Sequence, residues 1–488
     1  MADELKVLVV AAEAVPFAQV GGLAEFAHAL PKALRRLNVD ARLIVPRYGD
    51  RARSGGPRPK RLGGSLPVPV GSQVELAHLL IADTDDVPVY LIYDDQYFGN
   101  RERVYGFNDD AQRFTFFCRA VISALQALDW MPDVIHANDW HTAAIPAWLD
   151  VYGRQNASFR DVASLYTIHN FAYQGISGRL LLTFGQMTNL PHLSVEPVGK
   201  VNWMAQGIAH ADLLSTVSPT YARELLTSAV SGDLQPLLVE RQHQLYGVLS
   251  GIDTETWNPA VDDAIPQRYD AMSLNMRSVN KSSLQRELRL PTEIDIPLMG
   301  LVTRLDPLKG LRILAEAFEK LIAARDVQFV LLGTGVEELE AGLQALQERY
   351  PRNFRALIRF DERLARRIYG AVDFFVMPSR YEPVSVALMT AMRYGAIPVV
   401  RSVSGLIDTV VDVDAQPHRG TGFTFQEYQA SALTDVLHRS LKAYDDEARW
   451  MELQRRVMSR DFSWDVSART YVDLYRRART VHRASRAS

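Results

Sequence analysis

The stretch KVLVVAAEAVPFAQVGGLAEFAHAL, residues 6–30, decides the fold of the first half of the chain. Its apolar opening predicts a buried strand over residues 6–12, and its last part, with apolar residues three and four apart, predicts an amphipathic helix starting near Gly22. A glycine pair, Gly21 and Gly22, stands between them beside the uncharged Gln19. A strand, a glycine turn and a helix in this order are typical of a doubly wound α/β sheet.

The same alternation of apolar runs and helical segments continues along the chain in two series. The first predicts strands over residues 6–12, 40–45, 89–93, 134–137, 164–168 and 213–217, and the second over residues 297–303, 327–332, 374–377 and 397–400. Two such series predict the α/β class, with two Rossmann-like, mostly parallel, doubly wound sheets. The segment 247–270 is rich in Gly, Pro and Asp and has no sustained period, so we place the domain junction there.

A chain of 488 residues exceeds the size of a single growing core, which predicts two domains. We expect an N-terminal Rossmann-like domain over residues 1–249, a second over residues 250–465, and a C-terminal helix over residues 466–488 that returns to the first domain. The segment Arg47–Ser65 combines Arg, Lys, Gly and Pro without an apolar period. We interpret it as a mobile basic surface loop.

The charge balance, 54 basic against 57 acidic residues with a formal charge of −3, argues against nucleic-acid and membrane partners. The single cysteine, Cys118, lies in an apolar run and is predicted to be a buried hydrophobe. The first apolar run is too short for a signal peptide or a membrane span, so a cytoplasmic location is expected. His141 and His169 lack a zinc-binding spacing, and we predict neither a metal nor a cofactor.

Charged residues and glycines follow several predicted strands. The Gly21–Gly22 turn can present backbone N–H groups to a phosphate, although a lone glycine pair, taken by itself, favours a plain tight turn. Arg304 and Lys309 come just after a strand of the second series, where two cations can hold a diphosphate. Two solvated loop cations are the alternative.

Further polar residues mark the ends of other strands. Glu382 follows a strand and is predicted to open a helix, where its carboxylate either favours the helix dipole or accepts hydrogen bonds from sugar hydroxyls. Gly333 and Gly335 occupy another strand-to-helix turn. The order of these residues suggests a sugar-nucleotide site. In the first series, two pairs lie at the carboxyl ends of strands, where ligands bind in open α/β sheets: Asp139 with Trp140, and His169 with Asn170.

Several ordered stretches carry a resemblance that spans nearly the whole chain: EAVPFAQVGGLAEFAHALPKAL, HANDWHTAAIPAWL, TIHNFAYQG, GIAHADLLSTVSPTYARE, GIDTETWNP, RLDPLKG, LLGTG, PSRYEPVSVALMTAMRYGAIPVVR and DFSW. The sequence resembles bacterial glycogen synthases and plant starch synthases. This family of retaining glucosyltransferases has two Rossmann-like domains facing across a cleft, the GT-B fold. The resemblance implies transfer of glucose from ADP-glucose to the non-reducing 4-hydroxyl of an α-1,4-glucan, with no nucleic acid or membrane as partner.

The resemblance also implies roles for individual residues. Arg304 and Lys309 are expected to hold the diphosphate and Glu382 the glucose hydroxyls, while His169 is expected near the reacting carbon. These four are the catalytic candidates. The substrate-binding candidates are Gln19, Gly21, Gly22, Asp139, Trp140, Asn170, Ser250, Gly333, Gly335 and Ser385.

The chain departs from the family pattern at several of these positions. Gln19 stands where the family has the lysine of Lys-Thr-Gly-Gly-Leu, and losing one charged contact costs about 2 to 4 kcal/mol, or roughly a hundredfold in turnover. Further departures are Glu25 for aspartate, Ala205 for lysine, Ser250 for asparagine, Val384–Ser385 for Cys-Gly and Ser404 for glycine. Two alternatives to a glucan synthase therefore stay open: a retaining glycosyltransferase with another donor or acceptor, and a weakly active or non-catalytic glucan-binding relative.

Overall fold

The first half of the chain folds around a buried central strand, as its apolar opening predicts. The computed structural model describes residues 4–49, 56–190 and 199–487. The chain divides into two compact units, the first made of Met1–Gly251 with Trp464–Ser488 and the second of Ile252–Ser463. Each unit contains one large sheet, and each is described by itself below.

A nine-stranded sheet, in the order β11-β10-β7-β6-β1-β2-β5-β4-β3, forms the first unit. All strand pairs from β11 to β5 are parallel. The strand β1 lies in its centre with four of its five residues buried, which explains its uninterrupted apolar sequence. The strands are β1 Lys6–Val10, β2 Asp40–Pro46, β3 Lys60–Val70, β4 Gln73–Thr84, β5 Val87–Tyr93, β6 Val134–Asn138, β7 Ala163–Ile168, β8 Ile176–Gly178, β9 Lys200–Asn202, β10 Leu213–Thr216 and β11 Leu245–Gly247.

The interpretation of Arg47–Ser65 as a mobile loop is wrong over residues 60–65. These residues begin β3, which pairs antiparallel with β4, and β4 pairs antiparallel with β5. The pairing shifts register between Arg61 and Ser65, and this irregularity hides the apolar alternation that would have predicted a strand. Residues 50–55 of the segment lie outside the described residues.

Helices cover the sheet of the first unit, and two short strands, β8 and β9, pair antiparallel apart from it. The helix α1 begins at Gly22, as expected, and its apolar face contacts the sheet through residues such as Phe26 and Leu30. The helices are α1 Gly22–Arg36, α2 Asp110–Ala127, α3 Ala144–Val151, α4 Leu180–Phe184, α5 Trp203–His210, α6 Pro219–Glu224, α7 Ser228–Ser231 and α8 Gln235–Glu240.

A six-stranded, fully parallel sheet in the order β14-β13-β12-β15-β16-β17 forms the second unit. Its strands are β12 Leu298–Val302, β13 Gln328–Gly333, β14 Phe354–Ile358, β15 Phe374–Met377, β16 Ile397–Arg401 and β17 Phe423–Phe425. Its helices are α9 Arg277–Glu287, α10 Leu311–Ala324, α11 Glu337–Arg349, α12 Glu362–Ala371, α13 Val386–Arg393, α14 Gly405–Thr409, α15 Ala430–Tyr444 and α16 Glu447–Met458. The prediction of two doubly wound, mostly parallel sheets is therefore confirmed.

The last helix, α17 Trp464–Ala487, belongs to the first unit although the second unit precedes it in the chain. Its residues Tyr471 and Tyr475 are fully buried in the core that contains β1 and α1. Within the described ranges, every helix is too short or too polar to cross a lipid bilayer.

Candidate active site

The Gly-Gly turn of the first unit is open to a ligand. Both glycines are exposed, and Gly21 has an extended backbone, φ −143° and ψ −167°, that any residue can adopt. A Cβ at Gly22 would meet nothing within 4 Å, and one at Gly21 would meet only the Oε1 atom of Glu13 at 3.7 Å. Since the surrounding fold leaves room for a side chain at both positions, the glycines leave space for another molecule to approach the backbone.

Gln19 and Glu25, the two departures beside this turn, contact each other. The Nε2 atom of Gln19 donates a hydrogen bond to Oε1 of Glu25 at 3.2 Å. The turn therefore carries an amide paired with a carboxylate at the position where the family pattern has a cation.

A buried carboxylate, Glu13, lies beneath the turn and was not singled out by the sequence interpretation. The backbone N–H groups of Val20 and Gly21 donate to its Oε2 atom at 2.5 and 3.3 Å. Burial is the main reason that the pKa of Glu13 rises to about 7, and Asp139 raises it further. The N–H group of Gly21, one of those that the turn could present to a phosphate, is thus bonded to Glu13. An acidic residue inside an apolar run was the feature of the sequence that could have revealed it.

Asp139 connects the ends of two neighbouring strands. It follows β6 with a left-handed backbone, φ 57°, which a residue with a side chain adopts only at a cost. Its Oδ1 atom accepts the N–H groups of His169, at 2.8 Å, and Asn170, at 3.4 Å, just after β7. Burial raises its pKa to about 7. The structure therefore brings Asp139, His169 and Asn170 together at the ends of two neighbouring strands.

His169 is a neutral ring at physiological pH. Burial lowers its pKa to about 3. Its Nε2 atom lies 2.9 Å from Oδ1 of Asn138, and the ring packs edge to face on Phe26 with the centroids 4.5 Å apart. The ring can therefore exchange hydrogen bonds with a ligand but carries no charge to it.

The Trp140 side chain packs in a confined space beside this group. Its ring lies 5.6 Å from that of Phe114, edge to face. The backbone of Gly175 passes so close to it that a Cβ there would lie 2.3 Å from the indole. The remaining departures of the first unit are buried: Ala205 on α5 and Ser250 near the end of the unit.

In the second unit, Lys309 and Glu382 form an ion pair although they are 73 residues apart. The Nζ atom of Lys309 lies 2.8 Å from Oε1 and 2.6 Å from Oε2 of Glu382. Ser379 donates a further hydrogen bond to Oε2 of this carboxylate at 2.9 Å. Arg304, which follows β12 by two residues, is exposed. Lys309 was expected at the diphosphate of the donor and Glu382 at its glucose hydroxyls, and in the structure these two side chains contact each other.

Glu382 does not open a helix, contrary to the prediction. The helix α13 begins at Val386, and Ser385 is its N-cap, with Oγ accepting the N–H of Leu388 at 3.2 Å. The turn from β15 to α13 is longer than the sequence pattern indicated, because the cap residue rather than the acidic residue ends it. The Ser385 hydroxyl is thereby already hydrogen-bonded within the fold.

Close backbone packing explains why the LLGTG stretch has glycine at residues 333 and 335. A Cβ on Gly333 would lie 1.8 Å from the carbonyl oxygen of Thr303, and one on Gly335 would lie 2.2 Å from that of Leu305. The backbone of this turn therefore passes against the segment after β12, so these glycines are required for packing whether or not a ligand approaches them.

Comparisons with known proteins follow the same division of the chain. Residues 6–240 match the family described as starch synthase catalytic domain, and residues 296–443 match glycosyl transferases group 1. The glycogen synthase of Moorella thermoacetica is 41% identical over 491 aligned residues, covering 99% of each chain. The chain belongs to the glycogen and starch synthase family of glycosyltransferases.

Other members of this family are similar over the same length. The glycogen synthase of Thermotoga maritima is 39% identical, covering 97% of this chain and 99% of that protein. The catalytic domain of starch synthase IV from Arabidopsis thaliana, solved with ADP and acarbose bound, is 33% identical with a TM-score of 0.91, covering 98% of this chain and 100% of that one. The resemblance inferred from the sequence motifs and the GT-B fold it implied are confirmed.

Proposed function

We propose that this chain transfers glucose from ADP-glucose to the non-reducing 4-hydroxyl of an α-1,4-glucan with retention of the α configuration. The observation that carries the proposal is the contact between Lys309 and Glu382 beside the carboxyl end of the second sheet. An ammonium and a carboxylate held together suit a ligand with a phosphate next to a sugar. The ADP and acarbose bound to the starch synthase IV structure support the donor and the acceptor class.

The chemistry needs no covalent nucleophile in this proposal. The bond between the anomeric carbon and the diphosphate oxygen breaks, the acceptor 4-oxygen bonds to that carbon, and the acceptor proton passes to the leaving phosphate. Lys309 and Arg304 stabilise the charge that gathers on the diphosphate in the transition state. Glu382 accepts hydrogen bonds from the glucose hydroxyls. His169 is neutral and lies near the reacting carbon.

The units divide this work. We assign donor binding to the second domain, residues 250–465, which contains Arg304, Lys309 and Glu382. The first domain, residues 1–249 with the helix over residues 466–488, supplies the Gly-Gly turn, Asp139, Trp140 and His169. A cytoplasmic location belongs to the proposal, since the one cysteine is buried and can form no disulfide within the chain.

The test is incorporation of labelled glucose into glycogen from ADP-glucose and, in parallel, from UDP-glucose. The Lys309→Ala variant serves as the blank and should lower turnover about a hundredfold or more. Incorporation from ADP-glucose above this blank supports the proposal. Absence of incorporation from ADP-glucose with the wild-type chain would refute it.

The pair at residues 19 and 25 defines a matched set of variants. The Gln19→Lys variant places an ammonium next to Glu25, and the Glu25 carboxylate then competes with a donor phosphate for that ammonium. The double variant Gln19→Lys with Glu25→Asp restores the pair of residues found in the family. We expect turnover with ADP-glucose to rise in the double variant more than in Gln19→Lys. Glu25→Asp alone is the control and should not raise turnover.

A second candidate is a retaining glycosyltransferase that uses a different nucleotide sugar. The contact between Gln19 and Glu25 favours it, because this contact changes the polarity of the turn expected at the donor phosphates. A screen of nucleotide sugars separates the candidates: faster transfer from another donor, together with no gain from the double variant, supports the second.

A further inference from the structure

We propose that Asn138 is a positioning residue that fixes the ring proton of His169 on Nε2 and leaves Nδ1 as a hydrogen-bond acceptor. The inference rests on the proposed function in one respect, namely that His169 lies near the reacting carbon. The geometry of the Asn138 side chain is independent of that function.

The orientation of the Asn138 amide follows from its neighbours. Asn138 is the last residue of β6 and is fully buried. Its Nδ2 atom donates to the carbonyl oxygens of Val10, at 3.0 Å, and His136, at 3.1 Å. Because carbonyl oxygens only accept hydrogen bonds, the amide nitrogen must face them, and Oδ1 is left for His169.

This orientation determines the tautomer of His169. The distance between Oδ1 of Asn138 and Nε2 of the ring is 2.9 Å, a hydrogen bond. Since an amide oxygen has no proton to donate, Nε2 must carry the proton. In a neutral imidazole the other nitrogen, Nδ1, is then an acceptor.

Neighbouring residues hold the His169 ring in this orientation. Phe26 packs edge to face on it at an interplanar angle of 84°. The backbone N–H of His169 is bonded to Oδ1 of Asp139, the residue that follows Asn138. Residues 138 and 139 thus hold both the side chain and the backbone of His169.

An amide suits the proposed chemistry better than a carboxylate at this position. A carboxylate bonded to a buried imidazole favours the charged ring, whereas a neutral amide oxygen does so much less. A positive ring beside a carbon that gains positive charge would oppose the transition state. Two titratable groups among the described residues lie near the ring, Asp139, which accepts the backbone N–H of His169, and His136; burial lowers the pKa values of both His136 and His169. Burial keeps His169 neutral, and the amide of Asn138 does not oppose this as a carboxylate would, so Nδ1 stays able to accept a hydrogen bond from a sugar hydroxyl.

Nitrogen NMR of the wild-type chain tests the tautomer directly. The chain contains 11 histidines, so the spectrum of ¹⁵N-histidine-labelled protein is assigned with a His169→Gln variant. We expect protonated Nε2 and unprotonated Nδ1 in His169 from pH 6 to 8. A proton on Nδ1, or a charged ring in this range, would overturn the proposal even if the chain proves to be an active glucan synthase.

The Asn138→Asp variant tests the consequence for activity. We expect the pKa of His169 to rise into the measurable range, and kcat at pH 6 to fall at least tenfold relative to pH 8, an acidic limb that the wild type lacks. The KM for the donor should change less than threefold.

Ser164→Ala is the matched control for this variant. It removes a buried hydroxyl that bonds Asp212, and it should lower the Tm without a new acidic limb. A wild-type pH profile in a folded Asn138→Asp variant would contradict the proposal. If that variant does not fold, the nitrogen spectrum of the wild type decides alone.

Discussion

Two serines of the second unit depart from the family pattern and have opposite effects on the stability of the fold. Ser404 stands in place of a glycine and has φ 46° and ψ −129°, a backbone region that disfavours residues with a Cβ. Ser385 also stands in place of a glycine, but its backbone is extended, φ −127°, and its hydroxyl caps α13. The first serine therefore strains the fold, while the second stabilises a helix end.

We expect Ser404→Gly to raise the free energy of unfolding by about 1 to 2 kcal/mol, because glycine adopts this backbone without strain. The matched variant Ser385→Gly should lower it by a few tenths of a kcal/mol to about 1 kcal/mol, through loss of the cap. Denaturant unfolding of both variants measures the difference. Equal effects of the same sign would contradict the explanation.

The buried Glu13 predicts a pH dependence of stability. Its folded pKa of about 7 lies above the ordinary value of 4.5 because of burial, so the folded chain binds this proton more tightly than the unfolded chain. The stability that it contributes is complete below about pH 4.5 and is lost as the pH rises to about 7. The pKa of Asp139 is likewise raised, from 3.8 to about 7, so its contribution to stability is also lost as the pH rises.

We expect Glu13→Gln to raise the free energy of unfolding at pH 8 by on the order of 2 kcal/mol, with no gain at pH 4. The amide oxygen of glutamine can still accept the N–H groups of Val20 and Gly21, so the turn keeps its bonds. Unfolding curves across this pH range check the prediction, with the exposed Glu4→Gln as the control. A gain of the same size at pH 4 would point to packing rather than charge.

The site residues could be predicted by type and order but not by their contacts. Asp139 and His169 were each predicted at the carboxyl end of a strand, where ligands bind in open α/β sheets, but that their two strands are neighbours was not predicted. The pairing of Lys309 with Glu382 spans 73 residues of sequence and depends on which strands are neighbours. Asn138 was missed because its partner Val10 lies 128 residues away, and Glu13 was missed because its role comes from burial beneath the turn, which the sequence shows only as an acidic residue in an apolar run.

At the scale of elements, hydrogen bonds from a charged histidine, His482, hold α17 against the rest of the first unit. The Nδ1 atom of His482 lies 3.1 Å from Oδ1 of Asp212, and its Nε2 atom lies 2.9 Å from the carbonyl oxygen of Arg160. Because both partners are acceptors, both ring nitrogens donate and the ring is an imidazolium. Burial opposes this charge, but the hydrogen bond and charge of Asp212 leave the pKa of His482 raised above 6.5.

This pair predicts that α17 is held less tightly in alkaline solution. Since the pKa is raised in the folded chain, the contribution is complete below about pH 6.5 and is lost as the pH rises through the folded pKa. We expect His482→Gln to lower the free energy of unfolding at pH 6 by about 2 kcal/mol, and by less at pH 9.

Urea unfolding at several pH values measures this difference. The control is Arg486→Ala, which removes an exposed ion pair to Asp161 and should cost less than about 1 kcal/mol at either pH. If His482→Gln lowers the free energy of unfolding by the same amount at every pH, the histidine is neutral in the folded chain.

The elements themselves could be predicted where a strand is central and buried. The ten strands inferred from apolar runs all exist, with ends shifted by at most two residues. The strands β3 and β4 lie at one edge of the sheet, and their alternation is interrupted by the shift between Arg61 and Ser65. The strands β8, β9, β11 and β17 have three residues each, too few for a period to emerge, whereas β14 was not inferred although four of its five residues are apolar.

At the scale of the whole molecule, the first unit is built from both ends of the chain. Residues up to Gly251 form its sheet, and α17 completes its core after the chain has passed through the second unit. Trp464 and Tyr471 pack edge to face on Phe26, with ring centroids 5.2 and 5.8 Å away, and the Tyr475 hydroxyl lies 2.8 Å from Nδ1 of His136. The first unit is therefore incomplete until α17 is present.

A chain that ends at Ser463 tests this dependence. Trp464, Tyr471 and Tyr475 are nearly or fully buried, and at about 2 to 3 kcal/mol each they contribute an amount comparable to the ~5–15 kcal/mol stability of a domain. We expect hydrogen exchange over residues 4–251 to lose most of its protection, while residues 252–463 keep theirs. A chain that ends at Arg483 retains His482 and the aromatic residues, so it should exchange like the full chain. Protection over residues 4–251 that survives removal of all of α17 would show that the first sheet and α1 form a sufficient core on their own.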